Sequence, residues 1–467
     1  MTALEQIGSL VAHSGREPLS DAVRELVTLH LIDSVGAWIA GAKTVEGLAL
    51  LRLRDVMRNG TTDSLPLDLS TRCALTRLSE IDDIHLPSMT TPGGVVIPSA
   101  LSMAQAMRAR APSVDDVITA ILAGYEVMTR LGRAFDGPTI LYRGIWPTYF
   151  AAPAAVAAVV ARLLQLDARD AANALALALT FAAPGVGHHN AATTSRWLAV
   201  GNAAGNGLAA ALAAKHGFTG DLKLFEGSFF SSIYGITPDI AALTDVFNEH
   251  TVLSEVSFKP WCAARQTMAA TQALREIIDS GVAPESITEV HATVLPPHLK
   301  MIDHGVVAGD RASYLTSLPY CMAVAAMAPE LAFDVQHSPP ELPPPVLAFM
   351  RKTKLEADDG LLADYPRTWP ARVRVVAGSA VHQRLVAHVP GDPGWAFDRA
   401  RVEAKFLRFV LPAFGTGLSE HLLEMLTTVS FGLFVEALEA AFAHRLLGHD
   451  LVWEGGSIAG SAQDGPR

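Results

Sequence analysis

Within the six residues from Glu80 to His85 the chain places three carboxylates (Glu80, Asp82, Asp83) and one imidazole. The surrounding stretch, LSEIDDIHLPSMTTPGGVVIPSA (78–100), then breaks into a Pro/Gly turn ahead of an apolar run. Burying unpaired charge is costly, so titratable groups this dense on a segment that ends in a turn point to chemistry. Two carboxylates a few ångströms apart push one pKa upward, which suits general acid/base work or the orientation of a base. The competing reading is a solvated charge cluster at a helix end. Asp83 is the favoured member, and Asp82 or Asp83 could fix the tautomer of His85, itself either a proton carrier or a satisfied core histidine.

Other reactive types are scattered. His188 and His189 are adjacent in GVGHHNAATTSRW (185–197), so their side chains diverge and at most one faces a site. A metal centre needs a third ligand, and the spacing offers none. Cys262 follows Lys259 by three residues, where a cation could lower its pKa and make it a base; otherwise it is a small core residue. Gly93–Gly94 and the Gly185/Gly187 pair lack the GxGxxG spacing of a dinucleotide fingerprint. No cofactor is expected.

These residues must be held by a large fold. A chain of 467 residues exceeds what one hydrophobic core usually supports, and half of it is hydrophobic. Mean hydropathy is +0.27, yet the richest run, Tyr149 to Leu166, is mostly Ala and Val, contains Pro153 and Arg162, and falls short of a span. The net charge of −11 argues against nucleic acid as a partner. Three cysteines without a CxxC pair, and a first segment without a basic start and apolar core, lead to the expectation of a cytoplasmic protein that engages no membrane.

Apolar residues recur at three- and four-residue steps over 20–41, and Ala-rich helical patterns follow at 95–108, 114–135, 149–164, 168–181 and 199–216. So much Ala and Gly implies closely approaching helices. Near residue 285 the period changes to two: 286–295, 371–377 and 381–389 alternate polar and β-branched residues as half-buried strands do. Helices are expected around them at 261–281, at 320–326 and, more weakly, ahead of Pro366; helix then returns at 400–409 and from 419 to about 447. The prediction is a mainly α protein, with an all-α body from both chain ends (1–261 and 399–467) and an inserted α+β lid (262–398). A cleft between the two would be the ligand site.

Read together, seven segments resemble the MmgE/PrpD family in that family's order. They are IDSVGAWIAGA (32–42), the acidic segment with PGGVVIPSAL (92–101), LAGYEVMTRLGRAF (122–135), GIWPTYFAAPAAVAAVVARLLQLD (144–167), VGNAAGNGLAAALAAKHGFTG (200–220), SFKPW (257–261) and SLPYCMAVA (317–325). The resemblance implies an all-α domain with an α+β lid, a homodimer, and a cofactor-free site between the domains. Glu80, Asp82 and Asp83 match the family's acidic stretch, Lys259 a site lysine and Tyr320 a site tyrosine. Departures are as informative. Thr91 and Trp146 stand where the family typically has histidines, and Arg196 where it has a lysine.

The implied chemistry is loss of a proton or of CO₂ beside a carboxylate of a small organic acid. Arg196 and Lys259 would hold carboxylates, with Arg196 adding a bidentate fork. Asp83, His85 or a neighbouring Asp82 would take the proton, and Tyr320 would supply one. Thr91, Trp146 and one of the two histidines, His188, would complete the substrate wall. A hydro-lyase or decarboxylase is the first expectation. An epimerase of a small dicarboxylate and a non-catalytic member that keeps the fold are the alternatives.

Overall fold

The computed structural model describes residues 1–15, 18–58, 64–110, 112–185, 193–245, 251–336, 338–428 and 430–448, together with the backbone of 452–454 and 457–459. Helices dominate both chain ends. Asp21–Ala42 starts at Ser20, whose hydroxyl accepts from the Val23 N–H, and is buried at every residue from Leu29 to Ala42. A helix apolar all round belongs in the middle of a bundle. Pro147–Leu163 is similar: Pro147 begins it, where a missing N–H costs nothing, and it is buried through Ala161.

Small residues allow the close packing. A Cβ on Gly207 would lie 2.2 Å from the Pro153 carbonyl oxygen, and one on Gly201 would lie 2.6 Å from that of Ser70. Alanine at either position would force two helices apart. The main core gathers Val27, Val35 and Trp38 with Val156 and Leu208, and takes in Val402, Phe406 and Phe434 from the far end of the chain. The tie between the ends is also ionic. Lys405 donates to Asp33 and to the Ile81 carbonyl at 2.7 Å, all of them buried.

A second core lies between residues 261 and 389. It is built on a sheet of order β2-β1-β3-β4, with β1 Ile287–Val294, β2 Thr353–Ala357, β3 Ala371–Ala377 and β4 Ala380–Val386. β1 pairs antiparallel with β3 and parallel with β2. Val290, Ala292, Val373 and Val375 point inward against the helices Arg265–Asp279 and Leu318–Met327. The long parallel crossover from β1 to β2 carries the short helices Pro296–Ile302 and Arg311–Thr316.

Three local expectations change. Ahead of Pro366 the chain holds the short helix Pro344–Met350 and a 3-10 turn at Asp359–Leu361, with the unexpected edge strand β2 between them, where Leu355 is half-buried against β1 and its neighbours Lys354 and Glu356 are exposed. The helix after 399 continues to Thr428 through Pro412, with a break in direction at Gly415 (φ 74°, ψ 174°) that a Cβ would disfavour. The last helix is Phe431–Arg445, started by the Ser430 hydroxyl. Among the described residues no helix is long and apolar enough to cross a membrane.

Candidate active site

Helix Leu65–Leu78 ends at Ser79, and the next residue, Glu80, turns left-handed (φ 58°). That conformation costs a non-glycine residue about 1 kcal/mol, and here Glu80 is held by cations on both sides. Arg77 Nη2 donates to its Oε1 at 2.9 Å; Lys259 Nζ donates to its Oε2 and to its backbone oxygen, both at 3.2 Å. Arg77 Nη1 also reaches Asp82 Oδ1 at 2.7 Å. Lys259 is placed by register, since Ile84 and Ser257 exchange two backbone hydrogen bonds of 2.8 and 2.9 Å just before it.

Asp83 is turned the other way. Its Oδ2 meets His30 Nδ1 at 2.8 Å and accepts from the Tyr125 hydroxyl at 2.7 Å, and its Oδ1 accepts from the Gly93 N–H at 2.7 Å. The last contact caps the helix Gly93–Ala106, where an anion is favoured. The PGG sequence makes this fit possible: a Cβ on Gly93 would come within 2.7 Å of both Asp83 oxygens, and one on Gly94 within 2.6 Å of Asp82 Oδ2.

A cleft of about 80 Å³ lies over this platform and adjoins an outer cavity of about 560 Å³. From the helical side its wall includes Arg77, Glu80, Thr91, Trp146, Thr148, Tyr149, Arg196 and Lys259. Ala264, Arg265, Gln266, Met301 and Thr316 come from the second core's helices and their approach. Trp146 and Arg196 border both spaces. The guanidinium of Arg196 lies 5.3 Å over the Trp146 ring, which stacks on Tyr149 at 5.7 Å. Thr91 and Thr148 share hydroxyls at 3.2 Å.

Of the residues singled out from sequence, Thr91, Trp146, Arg196 and Lys259 therefore share one cleft, with Asp82 directly behind Arg77. Asp83, His85 and Tyr320 do not line it. His85 closes its own turn, Nδ1 to Ser88 Oγ at 2.8 Å and Nε2 to Glu255 Oε2 at 3.3 Å, and burial lowers its pKa. Tyr320 sits in the second core edge-on to Tyr314, its pKa raised by burial. His188 and His189 lie outside the described residues. Cys262 departs from the expectation of a lowered pKa: burial outweighs Arg311 and Lys259 and pushes its thiol up to about 11. Arg77, Tyr149, Arg265 and Gln266 were not marked by the sequence; Tyr149, three residues after Trp146 in GIWPTYF, was within reach of helical spacing. Among the described residues no three His, Cys, Asp or Glu side chains converge as metal ligands would.

The two carboxylates nearest the cleft differ in charge state. Burial, aided by the charges of Glu80 and Asp83, raises Asp82 to about 7 despite Arg77 and Lys259. Burial would raise Glu80 too, but Arg77, Lys259 and Arg311 together hold it down at about 2. Both shifts have stability consequences of opposite sign. Folded Asp82 keeps a proton that the unfolded chain releases near its ordinary 3.8, so its contribution is full below that pH and is lost as pH rises to about 7. Glu80 contributes above its ordinary 4.5 and loses that contribution as pH falls to about 2. Asp82→Asn should therefore flatten the decline of melting temperature between pH 3.8 and about 7, measured by calorimetry in matched buffers. Parallel wild-type and variant curves would refute the shift.

Comparison with known proteins adds the ancestry of this arrangement. The model of the MmgE/PrpD N-terminal domain matches residues 5–230, and that of the MmgE/PrpD C-terminal domain matches 261–429. The cis-aconitate decarboxylase-like protein oryM of Aspergillus oryzae is 31% identical over 156 residues, 32% of each chain. The cis-aconitate decarboxylase of Homo sapiens is 29% identical over 196 residues, 40% of this chain and 39% of its own. The matched stretches thus span less than half the length of these curated relatives.

Proposed function

Because the chain belongs to the MmgE/PrpD family, we propose that it is a cofactor-independent lyase, removing a proton or CO₂ beside a carboxylate of a small organic acid. The observation that carries this reading is the cleft's charge. Arg77, Arg196, Lys259 and Arg265 line it against Glu80 alone among the carboxylates on the described wall. A buried surplus of cations stabilises a bound carboxylate and the negative charge that develops when a neighbouring C–H or C–C bond breaks.

Roles follow from position. Lys259 and Arg196 hold the substrate carboxylate. Glu80, ionised and on the wall, is the proton acceptor, and Asp82, near neutrality and tied to the same Arg77, takes up the change in charge. Burial raises the Tyr149 phenol to about 12, so it stays protonated and serves as donor to a leaving hydroxide or to the carbon that loses CO₂. This moves the acid and base from Asp83 and Tyr320 to residues on the cleft wall. The relatives' names make decarboxylation the first reaction to try, with dehydration beside it.

The test is incubation with cis-aconitate, citraconate and 2-methylcitrate, following CO₂ release, product double bonds and, in D₂O, deuterium incorporation. CO₂ or water release supports the lyase. Deuterium wash-in without net conversion would replace it by an epimerase, and absence of both turnover and ligand-induced thermal stabilisation by a non-catalytic protein.

A further inference from the structure

The helix Leu65–Leu78 runs out just before Glu80, and the carbonyls that follow find no partner within it. Three consecutive ones are met by side chains from distant elements. Ser79 O accepts from Arg311 Nη2 at 3.3 Å and from Cys262 Sγ at 3.2 Å, Glu80 O from Lys259 Nζ at 3.2 Å, and Ile81 O from Lys405 Nζ at 2.7 Å. Cations are favoured here, at the negative end of the helix dipole. Of the three, Lys259 stands on the cleft wall and Lys405 belongs to the helix Arg399–Thr428 of the helical body. Arg311 has a different place.

Arg311 is only 4% exposed, and although Ala312 and Leu315 after it are wall residues, it is not itself on the described wall. It begins the helix Arg311–Thr316, and its guanidinium crosses the seam between the second core and the helical body. Nε donates to the Val335 carbonyl at 2.5 Å on one side, Nη2 to that of Ser79 on the other. Ile81 and Phe409 close the seam against Cys262, Leu315 and Val335. The guanidinium carbon also lies 5.9 Å over the Trp197 ring, and that of Arg196 lies 5.8 Å over the same ring. One indole thus supports both the cation that would hold the substrate carboxylate and the cation that holds the backbone of the proposed base. The charge of Arg311 also helps to keep the Glu80 carboxyl at about 2.

We propose that Arg311 is a positioning residue for the reaction: it pins the Ser79 carbonyl, and with it the left-handed turn at Glu80, at a set distance from the substrate that Arg196 holds. The inference rests on the lyase reading given above. A guanidinium suits the task because its fork donates in fixed directions, one for each side of the seam. Without it the Ser79 carbonyl keeps only Cys262, a weak donor, and the base can drift. A misplacement of about 1 Å costs on the order of 10²-fold in rate.

Steady-state kinetics on whichever of cis-aconitate, citraconate and 2-methylcitrate the wild type converts tests it. Arg311→Gln should lower kcat by about 30- to 100-fold and leave KM within about threefold. A merely structural role would loosen the seam beside Lys259 and Arg196 and raise KM as kcat falls. Arg311→Lys restores the charge and a donor for one carbonyl, so its kcat should stand only about three- to tenfold below wild type. If the glutamine variant fails to fold, the lysine variant decides, and a kcat equal to that of wild type overturns the role. A glutamine variant with kcat within about threefold of wild type, or with KM rising in step with the lost rate, also overturns it and leaves the lyase reading intact. No turnover of any of the three acids by the wild type overturns both.

Discussion

Replacing Lys259 by methionine is expected to lower kcat/KM by about 10³-fold for whichever carboxylate the wild type converts, with the fold retained. Two losses act together. The cleft loses a cation that would hold the substrate carboxylate and neutralise the charge formed when the adjacent bond breaks. Glu80 loses one of the cations that hold its pKa down and the partner of its Oε2, so the proposed base is less firmly placed over the cleft. Methionine fills a similar volume, which avoids a cavity, and Glu80 still has Arg77 at 2.9 Å, so no carboxylate is stranded. Steady-state kinetics beside a melting curve separates the effects. Lys259→Arg should recover part of the rate through its charge; rates within threefold of wild type for both variants would remove Lys259 from the chemistry.

Asp83→Ala should behave in the opposite way, as a loss of stability of about 3–5 kcal/mol read from the urea midpoint. The side chain is fully buried and satisfies three donors at once: His30, Tyr125 and the first N–H of the helix Gly93–Ala106. Removing it leaves a buried imidazole, a buried phenol and an uncapped helix end together. Asp83→Asn keeps the shape and should be intermediate. An asparagine variant as stable as wild type yet inactive would return Asp83 to the role of proton acceptor.

Much of this architecture was readable from periodicity. The helices at 20–41, 114–135 and 168–181 and the strands at 371–377 and 286–295 fall within a few residues of those observed, because burial on one face or all round leaves a spacing that side chains record. β2 was not, since it is five residues long with one half-buried apolar side chain, Leu355, too short a run to establish a period. The acidic segment was found, but which carboxylate faces the cleft was not. That choice is made by the left-handed turn at Glu80 and by Gly93 and Gly94, which draw Asp83 away toward a helix end. Arg265 escaped notice for a similar reason. In ARQTMAATQALR it reads as an ordinary amphipathic start, and its place on the cleft wall is fixed only once Asp392 and Trp369 arrive from more than a hundred residues away.

The bond between Lys405 and Asp33 also has a meaning in time. The two residues are 372 positions apart, and at ribosomal speeds that separation is roughly 20–75 s of synthesis. Throughout that interval the emerging chain holds Asp33, and for the last 324 residues of it the Ile81 carbonyl beside the acidic segment, without the ammonium that satisfies both. The acidic segment therefore gains this donor only when the returning helix arrives, and a nascent chain stalled before residue 405 leaves both acceptors to water.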